Sequence, residues 1–409
     1  MEEWKEYNLG QLIELKNGVA FKSSEFIEQG VPVIKIKNVK PNRIILDDLS
    51  FVSHESSLNK KCFDILPTDI LITMTGNRKD GGADSWVGKV ALFNHTGKYL
   101  LNQRVSAIRV KDNSLVDYVY LSYLLSGWDA QLYFVNHSNS SGGQANISPD
   151  IVYNYAVSLP PLSVQYKISS VLKSLDDKIE VNRRINDNLE QQAQALFKSW
   201  FVDFEPFKDQ PFVESELGMI PQGWRVGKLG ELCQFKRGKG LLSKNAIPGA
   251  VPVVAGGLEP ACYHNISNTK APVITVSGSG ANAGFMRLYH QEVWASDCSF
   301  IDVTCENLLF VYCFLAINSH LLKHAQTGAV QPHVKPADIH DFDLVIPPKE
   351  IIQRFQSTIL PYIRKKGIAE QESRRLAELR DTLLPRLMSG ELRVTDTDLV
   401  NKLTEDNII

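Results

Sequence analysis

The chain has 409 residues, of which 44% are hydrophobic and 22% are charged, and its formal net charge at pH 7 is −2. A chain of this composition is globular, and its length predicts about two to four domains. The sequence has no charged N-terminal segment followed by an apolar stretch, and no apolar run approaches about 18 residues, so we expect a cytoplasmic protein that is neither secreted nor inserted in a membrane.

Residues 1–158 are predicted to form a mixed α and β domain. Short strands are separated by turns rich in Gly and Asn, and one apolar stretch, from Val116 to Tyr133, is predicted to be helical. The predicted strands are Val31 to Val39, Ile70 to Thr75, Trp86 to Phe93 and Val105 to Val110.

Residues 159–212 contain a long predicted helix. From Leu162 to Phe204, apolar and amide residues recur at steps of four and three, which is the heptad pattern of a coiled coil. A helix of about 40 residues is roughly 60 Å long. Asn182 and Asn186 occupy seam positions, where a buried polar residue fixes the register of paired helices. A solvated helix end or a kink would explain these two residues equally well.

Residues 213–346 repeat the style of the first domain and include an apolar helix from Leu308 to Leu322. Its predicted strands are Val251 to Ala255, Val273 to Val276, Gly284 to Tyr289 and Phe300 to Val303. Residues 347–393 contain a second long helix, predicted from Glu350 to Met388, which Gly367 is expected to weaken and Pro385 to interrupt. Residues 394–409 are predicted to be a mobile tail.

The predicted fold class is therefore α+β, with two mixed α/β domains separated by two long helices. A long helix with one apolar stripe needs a partner in water, and the nearest partner is the other long helix. We expect an antiparallel coiled coil with a domain at each end and a pseudo-two-fold axis between the two halves. Two domains held apart by a rigid spacer would act as a ruler.

The chain also contains two copies of one plan. Residues 4–18 match residues 224–238 at an offset of 220, whereas Gln144 and Pro149 recur as Gln331 and Pro336 at an offset of 187. The first copy therefore carries 33 more residues in its middle. Two related binding domains with different targets would have this pattern, and so would drift after an old duplication.

Two segments resemble the specificity subunits of type I restriction-modification systems. Residues 195–224, with ALFKSWFVDFEPF and SELGMIPQGW, resemble the central conserved region of that family, and residues 379–392, LRDTLLPRLMSGEL, resemble its C-terminal counterpart. The resemblance implies two target recognition domains, each of which reads one half of a split double-stranded DNA sequence. It implies that the helices set the gap and dock methyltransferase subunits, two of them, with restriction subunits in the full complex.

The same resemblance implies a non-catalytic subunit that binds no cofactor, with S-adenosylmethionine, ATP and magnesium on the partner subunits. The sequence agrees, because it lacks the GxxxxGK[ST], HExxH and GxSxG motifs. The six cysteines form no CxxC pair, and His137, His264 and His333 have no partners at metal spacing, so we expect reduced thiols and no metal.

The competing function is a coiled-coil structural adaptor that joins proteins without touching DNA. The net charge of −2 agrees with it, because proteins that bind phosphate backbones usually have a basic face. A nearly neutral total can nevertheless include a basic face.

The candidates for DNA contact are side chains that can bind base edges or phosphates. In the first domain they are Lys35, Lys37, Asn38, Asn77, Arg78, Lys79, Gln144 and Asn146, and in the second Lys236, Arg237, Lys239, Lys244, Gln331, His333 and Lys335. Each set has an alternative that does not involve DNA. Residues 77–79 would also suit a solvated hairpin turn, residues 35–38 the polar face of a strand, and residues 236–244 an ordinary charged surface loop. For Gln144 and Gln331 the alternative is a structural role in their loops.

The candidates for partner binding are the aromatic residues at the end of the first long helix, Trp200, Phe201, Phe204 and Phe207. They present more aromatic surface than one seam can bury, which is typical of a protein interface. The resemblance implies that methyltransferase subunits dock here. Packing of these side chains on the second domain is the alternative.

Overall fold

The structure is a computed structural model that describes residues 4–60, 64–77, 86–141, 144–326 and 332–394. The chain divides into two compact units. The first comprises the residues up to Ile179 together with those from Arg374, and the second comprises Glu180–Ser373. Among the described residues, no helix has both the length and the apolar composition that crossing a membrane requires.

The first unit is a mixed α and β structure. Its strands are β1 (Lys5–Asn8), β2 (Ile13–Asn17), β3 (Phe26–Ile27), β4 (Val31–Ile34), β5 (Val39–Lys40), β6 (Arg43–Ile44), β7 (Ser50–Val52), β8 (Ile70–Thr73), β9 (Thr75–Gly76), β10 (Val90–Leu92), β11 (Leu100–Leu101), β12 (Val105–Val110), β13 (Asn139–Ser141), β14 (Gln144–Asn146) and β15 (Ala156–Leu159). Its helices are α1 (Leu9–Leu12), α2 (His54–Asn59), α3 (Tyr118–Ser126), α4 (Trp128–His137), α5 (Pro149–Tyr153) and the first part of α6 (Leu162–Phe201).

The second unit follows the same style. Its strands are β16 (Phe212–Ser215), β17 (Gly218–Pro221), β18 (Arg225–Lys228), β19 (Lys236–Arg237), β20 (Val251–Val254), β21 (Cys262–His264), β22 (Val273–Ser277), β23 (Met286–Tyr289), β24 (Trp294–Ala295), β25 (Cys298–Asp302) and β26 (Asp343–Ile346). Its helices are α7 (Leu308–Ile317), α8 (Ser319–His324), α9 (Pro336–His340), the rest of α6 and most of α10 (Lys349–Met388).

The main antiparallel sheet has the same strand order in both units. In the first unit the order is β10-β8-β12-β2, and in the second it is β23-β22-β25-β19. A parallel pair accompanies each sheet, β4 with β11 in the first unit and β20 with β24 in the second. The strands at each end of the copy also pair alike, β1 with β15 and β18 with β26. The repeat seen in the sequence is therefore a repeat of topology.

The sheet registers locate the 33 extra residues of the first copy. Equivalent strand positions are 220 residues apart at Val31 and Val251, 204 at Ile70 and Ile274, 193 at Val105 and Cys298, and 187 at Asn146 and His333. The extra length is therefore divided among three connections, and the largest part precedes β8. That connection carries the β5–β6 hairpin and helix α2.

A matched glycine explains one conserved position of the repeat. The Gly18 N–H donates to the Val105 carbonyl, and the Gly238 N–H donates to the Cys298 carbonyl in the second unit. A Cβ at Gly18 would lie 2.2 Å from the Asn102 carbonyl oxygen, and a Cβ at Gly238 would lie 2.3 Å from that of Ser296. Since backbone cannot move away as a side chain can, both positions require glycine.

Each unit buries one part of each long helix. In the first unit, Leu172 and Leu175 of α6 share a core with Leu376 and Leu383 of α10, and Asp176 accepts a hydrogen bond from Arg380 at 2.6 Å. In the second unit, Phe197 of α6 packs on Phe355 of α10. Each helix therefore finds apolar partners for its stripe within both units, as the physics of a long amphipathic helix requires.

Polar contacts between the helices fix their direction within the second unit. The Asn182 amide donates to Glu372 at 2.7 Å, and Glu190 accepts from Lys366 at 2.6 Å. Residue numbers rise along α6 as they fall along α10, so the two segments are antiparallel there. Asn182 is buried, as a register-setting seam residue should be, and the Asn186 side-chain oxygen is also buried, with no hydrogen-bond partner among the described residues.

The strand Val105 to Val110 is confirmed, and most of the other predicted strands are present with shorter bounds. The predicted helix from Val116 to Tyr133 was wrong as one element, because Gly127 separates α3 from α4. The predicted helix from Leu308 to Leu322 is likewise divided at Asn318.

The expected interruption of the second long helix was wrong. Helix α10 continues through Gly367 and Pro385 to Met388. Gly367 is a packing position, because a Cβ there would lie 2.7 Å from the ring of His290. At Pro385, the buried side chains of Leu384 and Leu387 hold the last turn, so tertiary packing outweighs the lost hydrogen bond. The first long helix ends at Phe201, three residues before its predicted end at Phe204.

One matched contact uses different chemistry in the two units. The Leu15 N–H donates to the hydroxyl of Tyr153 at 3.2 Å, and at the equivalent place the Phe235 N–H donates to Nε2 of His340 at 2.8 Å. An imidazole nitrogen that accepts from a backbone N–H must be unprotonated. Burial lowers the pKa of His340, and the neighbouring Asp341 only partly opposes it.

This difference predicts that the second unit loses stability in mild acid. Because the folded-state pKa of His340 lies below that of the unfolded chain, its contribution is present above the unfolded pKa and is lost as the pH falls through the folded one. His340→Tyr, which installs the residue of the first unit, should reduce the fall in melting temperature between pH 7.5 and pH 5. An equal fall in both proteins would contradict this assignment.

Candidate nucleic-acid interface

In the second unit, an arginine, a carboxylate and a hydroxyl meet at one edge of the main sheet. Arg237 is at the end of β19, Ser279 follows β22, and Asp297 precedes β25. The Asp297 carboxylate accepts one hydrogen bond from Nη2 of Arg237 and another from Oγ of Ser279. The side chains of Arg237 and Asp297 are 45% and 41% exposed, so the pair is fixed but accessible to a ligand.

Of the other basic candidates of this unit, Lys239 has its backbone close to the same edge. Lys236 precedes Arg237 on β19, so the two side chains lie on opposite faces of that strand. The Lys239 N–H donates to the carbonyl of Ala295 at 2.9 Å, two residues before Asp297. Lys236, Lys239 and Lys244 are exposed. Arg237 and Lys239 thus place two exposed cations near this edge, on a chain whose net charge is −2.

The paired loop of the second copy reaches this edge through His333. His333 forms a β-bridge with Ser279, and the Val334 N–H donates to the Gly278 carbonyl at 3.1 Å. Lys335 is exposed, and its backbone N–H donates to Asp338 at the start of α9. His333 therefore lies with the Arg237–Asp297 pair.

In the first unit, the equivalent loop pairs with the end of the sheet in the same way. Strand β14 pairs with β9, so that Asn146 is opposite Thr75, and the Thr75 hydroxyl donates to the Asn146 side-chain oxygen at 2.8 Å. Asn77 follows β9 directly and is exposed, as is Gln144 at the start of β14. Asn77, Gln144 and Asn146 are therefore brought together, although they are far apart in the sequence.

The three candidates after β4 differ from one another. Lys35 is half-buried with its Nζ 3.5 Å from the centroid of the Phe26 ring, and burial lowers its pKa, to which neighbouring Lys37 adds. Lys37 is exposed and pairs with Asp48 at 2.5 Å.

Asn38 is 1% exposed, and its amide is engaged inside the protein. It donates to the carbonyls of Ile45 and Asp48 and accepts from the Lys35 N–H at 2.9 Å. These bonds fold the turn itself, so the structural alternative describes Asn38 best.

Arg78, Lys79 and Gln331 lie outside the described residues. Among the described residues, no group of three or more His, Cys, Asp or Glu side chains is arranged to hold a metal ion. The cysteines that are described are free, and burial raises the pKa of the thiols of Cys233, Cys298 and Cys313.

The aromatic residues proposed for partner binding pack within the second unit. Phe201 and Phe207 are each 6% exposed, and both rings contact Trp224. Phe204 contacts the same tryptophan, and Trp200 contacts Phe355. The alternative weighed for these side chains, packing on the second domain, describes Phe201, Phe204 and Phe207, whereas Trp200 packs on Phe355 of the second long helix. Trp200 and Phe204 remain partly exposed.

Sequence reasoning missed the residues that organise these edges, namely Asn17, Thr75, Arg104, Ser279 and Asp297. The Met74 N–H donates to the Arg104 carbonyl at 2.9 Å, as the Gly278 N–H donates to the Asp297 carbonyl at 3.2 Å. Arg104 and Asp297 are thus equivalent. Matching Asn17 with Arg237 needs only the offset of 220, but matching Arg104 with Asp297 needs the sheet register.

Comparison with known protein families gives one match that covers most of the chain. A model described as the type I restriction modification DNA specificity domain matches residues 1–191 and 221–379. The two matched segments begin close to residues 4 and 224, where the two copies of the repeat begin.

Individual relatives agree with that match. The MjaIX specificity subunit of a type I restriction enzyme from Methanocaldococcus jannaschii is 30% identical over 72% of this chain and 73% of its own length. The HindI specificity subunit from Haemophilus influenzae is 24% identical over 96% of this chain and 100% of its own length. A crystal structure of the S subunit of a type I restriction-modification system from M. genitalium shares the fold with a TM-score of 0.55, at 17% identity over 94% of this chain and 96% of that one.

Proposed function

The chain belongs to the family of type I restriction-modification DNA specificity subunits, and from this we propose that each of its two units reads one half of a bipartite DNA target. It is a specificity component and not itself the enzyme. The observation that carries the proposal is the common topology of the two units, in which equivalent sheet edges present different polar side chains. One frame with two sets of side chains suits two different half-sites.

We propose further that the long helices form an antiparallel coiled coil that sets the gap between the half-sites. Support comes from the heptad pattern of α6, from the burial of both helices in each unit, and from the antiparallel polar contacts of α6 with α10 in the second unit. Major-groove faces recur about every 34 Å along one side of a duplex, and a helix of 40 residues is roughly 60 Å long. Such a spacer suits half-sites one to two turns apart, related by a pseudo-two-fold axis.

Within each unit we propose that the sheet edge with the exposed amides and cations faces the DNA. In the first unit these side chains are Asn77, Gln144 and Asn146, with Lys35 and Lys37 as phosphate contacts. In the second unit they are Lys236, Arg237, Lys239, Lys244, His333 and Lys335. Arg78, Lys79 and Gln331 remain candidates by sequence.

We propose that methyltransferase subunits dock on the second unit beside the end of α6. Trp200 and Phe204 are partly exposed there, and Val202 is 49% exposed. The Phe204 ring contacts Phe212 of the β16–β17 hairpin, on which Leu217 and Met219 are also exposed. An apolar surface of this kind is typical of a protein interface. S-adenosylmethionine, ATP and magnesium would act on the partner subunits, and the assembly would work in the cytoplasm.

The proposal is tested by producing the chain with its methylation partner in a host that lacks other modification systems. Sequencing of the modified bases is expected to give one motif with two short specified parts and a fixed unread gap, and the partner alone should give none. Modification with no common motif, or none with a purified, assembled complex, would contradict the proposal. In that case, absence of sequence-selective protection in a footprint on random duplex DNA would favour the adaptor alternative.

A further inference from the structure

We propose that the Arg237–Asp297 pair specifies one base pair in the half-site of the second unit, with Asp297 as the positioning residue for the guanidinium. In the first unit, Asn17 and Arg104 occupy the same two places and would specify a different base pair. The inference rests on the proposed function and adds to it the residues that make the two half-sites differ.

Three consecutive residues at the end of the equivalent strands β2 and β19 show which positions the two units share and which one differs. Lys16, Asn17 and Gly18 correspond to Lys236, Arg237 and Gly238 at the offset of 220. The glycine is fixed by the close approach of the neighbouring backbone, and the lysine is retained. The middle position changes from a neutral amide to a cation. Since the strand geometry is the same, the difference lies in the side chain that each edge presents.

At the position that pairs with this residue in the second unit, the charge changes from positive in the first unit to negative in the second. Arg104 of the first unit is exposed, whereas its equivalent in the second unit is Asp297. The first unit therefore carries an amide and a cation where the second carries a cation and an anion. In the first unit the Asn17 side-chain oxygen accepts instead from the Ser106 hydroxyl at 2.9 Å. Equivalent places on the two frames therefore present exposed groups of opposite charge.

The second unit also makes room for its arginine and fixes it. A Cβ at Gly278 would lie 2.1 Å from Nη1 of Arg237, so the guanidinium runs along a glycine that leaves its face clear. Asp297 holds Nη2 from one side, and the same carboxylate is held by Ser279. A positioned guanidinium loses little conformational freedom on binding, and its remaining donors keep the planar arrangement that matches O6 and N7 of guanine.

The chemistry of the pair therefore points to guanine in the half-site of the second unit. Arginine to guanine is the commonest specific side-chain contact in the major groove, and a good bidentate contact discriminates against the wrong base by about 5- to 150-fold. Aspartate can in addition accept from the N4 amino group of a cytosine nearby. Lys239, which is exposed two residues along the chain from Arg237, would neutralise a phosphate without reading sequence.

The test uses the full chain with its methylation partner and compares the modified motifs of variants with that of the unchanged protein. Arg237→Lys keeps the positive charge but loses the planar fork, and it is expected to relax the motif at one guanine position of one half-site, with the other half-site and the gap unchanged. Asp297→Asn should relax the same position. Lys244→Ala is the matched control, because Lys244 is exposed and basic but is not part of the pair, and it should modify the same motif less completely.

A double variant, Arg237→Asn with Asp297→Arg, installs the pair of the first unit and should alter the base required at that position. Melting temperatures of the variant chains separate misfolding from altered recognition. If folded Arg237→Lys and Asp297→Asn both give the unchanged motif, the inference is overturned, and so it is if they relax positions in both half-sites. If the unchanged protein gives no bipartite motif, the proposed function itself fails, which is a different result.

Discussion

A heptad inserted into each long helix is expected to lengthen the unread gap of the DNA target by about three base pairs, because seven residues add about 10 Å of helix and each base pair adds about 3.4 Å of duplex. The insertions belong between Ile179 and Glu180 in α6 and between Ser373 and Arg374 in α10, where the two units divide. Neither insertion then interrupts the core of a unit. A complete heptad keeps the apolar stripe on the same face. The gap is measured from the motif of modified bases.

The same heptad placed in α6 alone is the control. It would offset one helix against the other, so that Asp176 and Arg380 in the first unit and Asn182 and Glu372 in the second could not all keep their contacts. We expect loss of modification or a marked fall in melting temperature. A gap that is unchanged by the paired insertion, in a protein that still modifies DNA, would show that the helices are not the ruler.

Phe355→Ala is expected to destabilise the second unit by about 3–5 kcal/mol, which is the usual cost of removing a buried phenylalanine side chain. Phe355 is fully buried, and its ring contacts Phe197, Trp200, Phe201 and Phe310. These rings join α6, α7 and α10, so the cavity left by the substitution cannot collapse without moving a helix. The loss is measured as the change in denaturant midpoint of the unfolding step assigned to this unit.

The matched control is Phe285→Ala, in the same unit. Phe285 is 39% exposed, so its truncation should cost less than about 1 kcal/mol. Equal losses for the two variants would mean that the aromatic cluster is not the core that joins the helices. A folded Phe355→Ala chain that still binds its partners would further indicate that the buried centre of the cluster is separate from the proposed docking surface.

The outcome for the four aromatics shows where sequence reasoning stops. Their density at the end of α6 predicted a large apolar surface, and the surface exists. The side chains that cover this surface are those of Trp224, Phe310 and Phe355, which come from three other segments of the chain. Hydrophobicity is a property of a residue, but its partner is decided by the fold. Trp200 and Phe204 keep some exposed surface, and it is there that we propose a partner protein docks.

At Asn38 and Gly367 the local sequence predicts a role that the tertiary contacts do not support. An asparagine after a strand suits a DNA contact, but this one is buried and folds its own turn. A glycine in mid-helix predicts weakness, but this one accommodates the ring of His290. In both cases the local preference is outweighed by a contact with a residue that sequence spacing does not mark.

The sequence by itself determined the family, the two copies and the two long helices, because these depend on residue identity and on periodicity, which are local. It also identified most of the exposed cations and amides. Only the tertiary structure decided which of them lie together, because strand pairing joins residues that are far apart in the chain. Arg237, Ser279, Asp297 and His333 meet only when β19, β25 and β22 are neighbours and the bridge at Ser279 forms. The pairing of strands, which sequence periodicity does not encode, thus assembled the edge proposed to distinguish one half-site from the other.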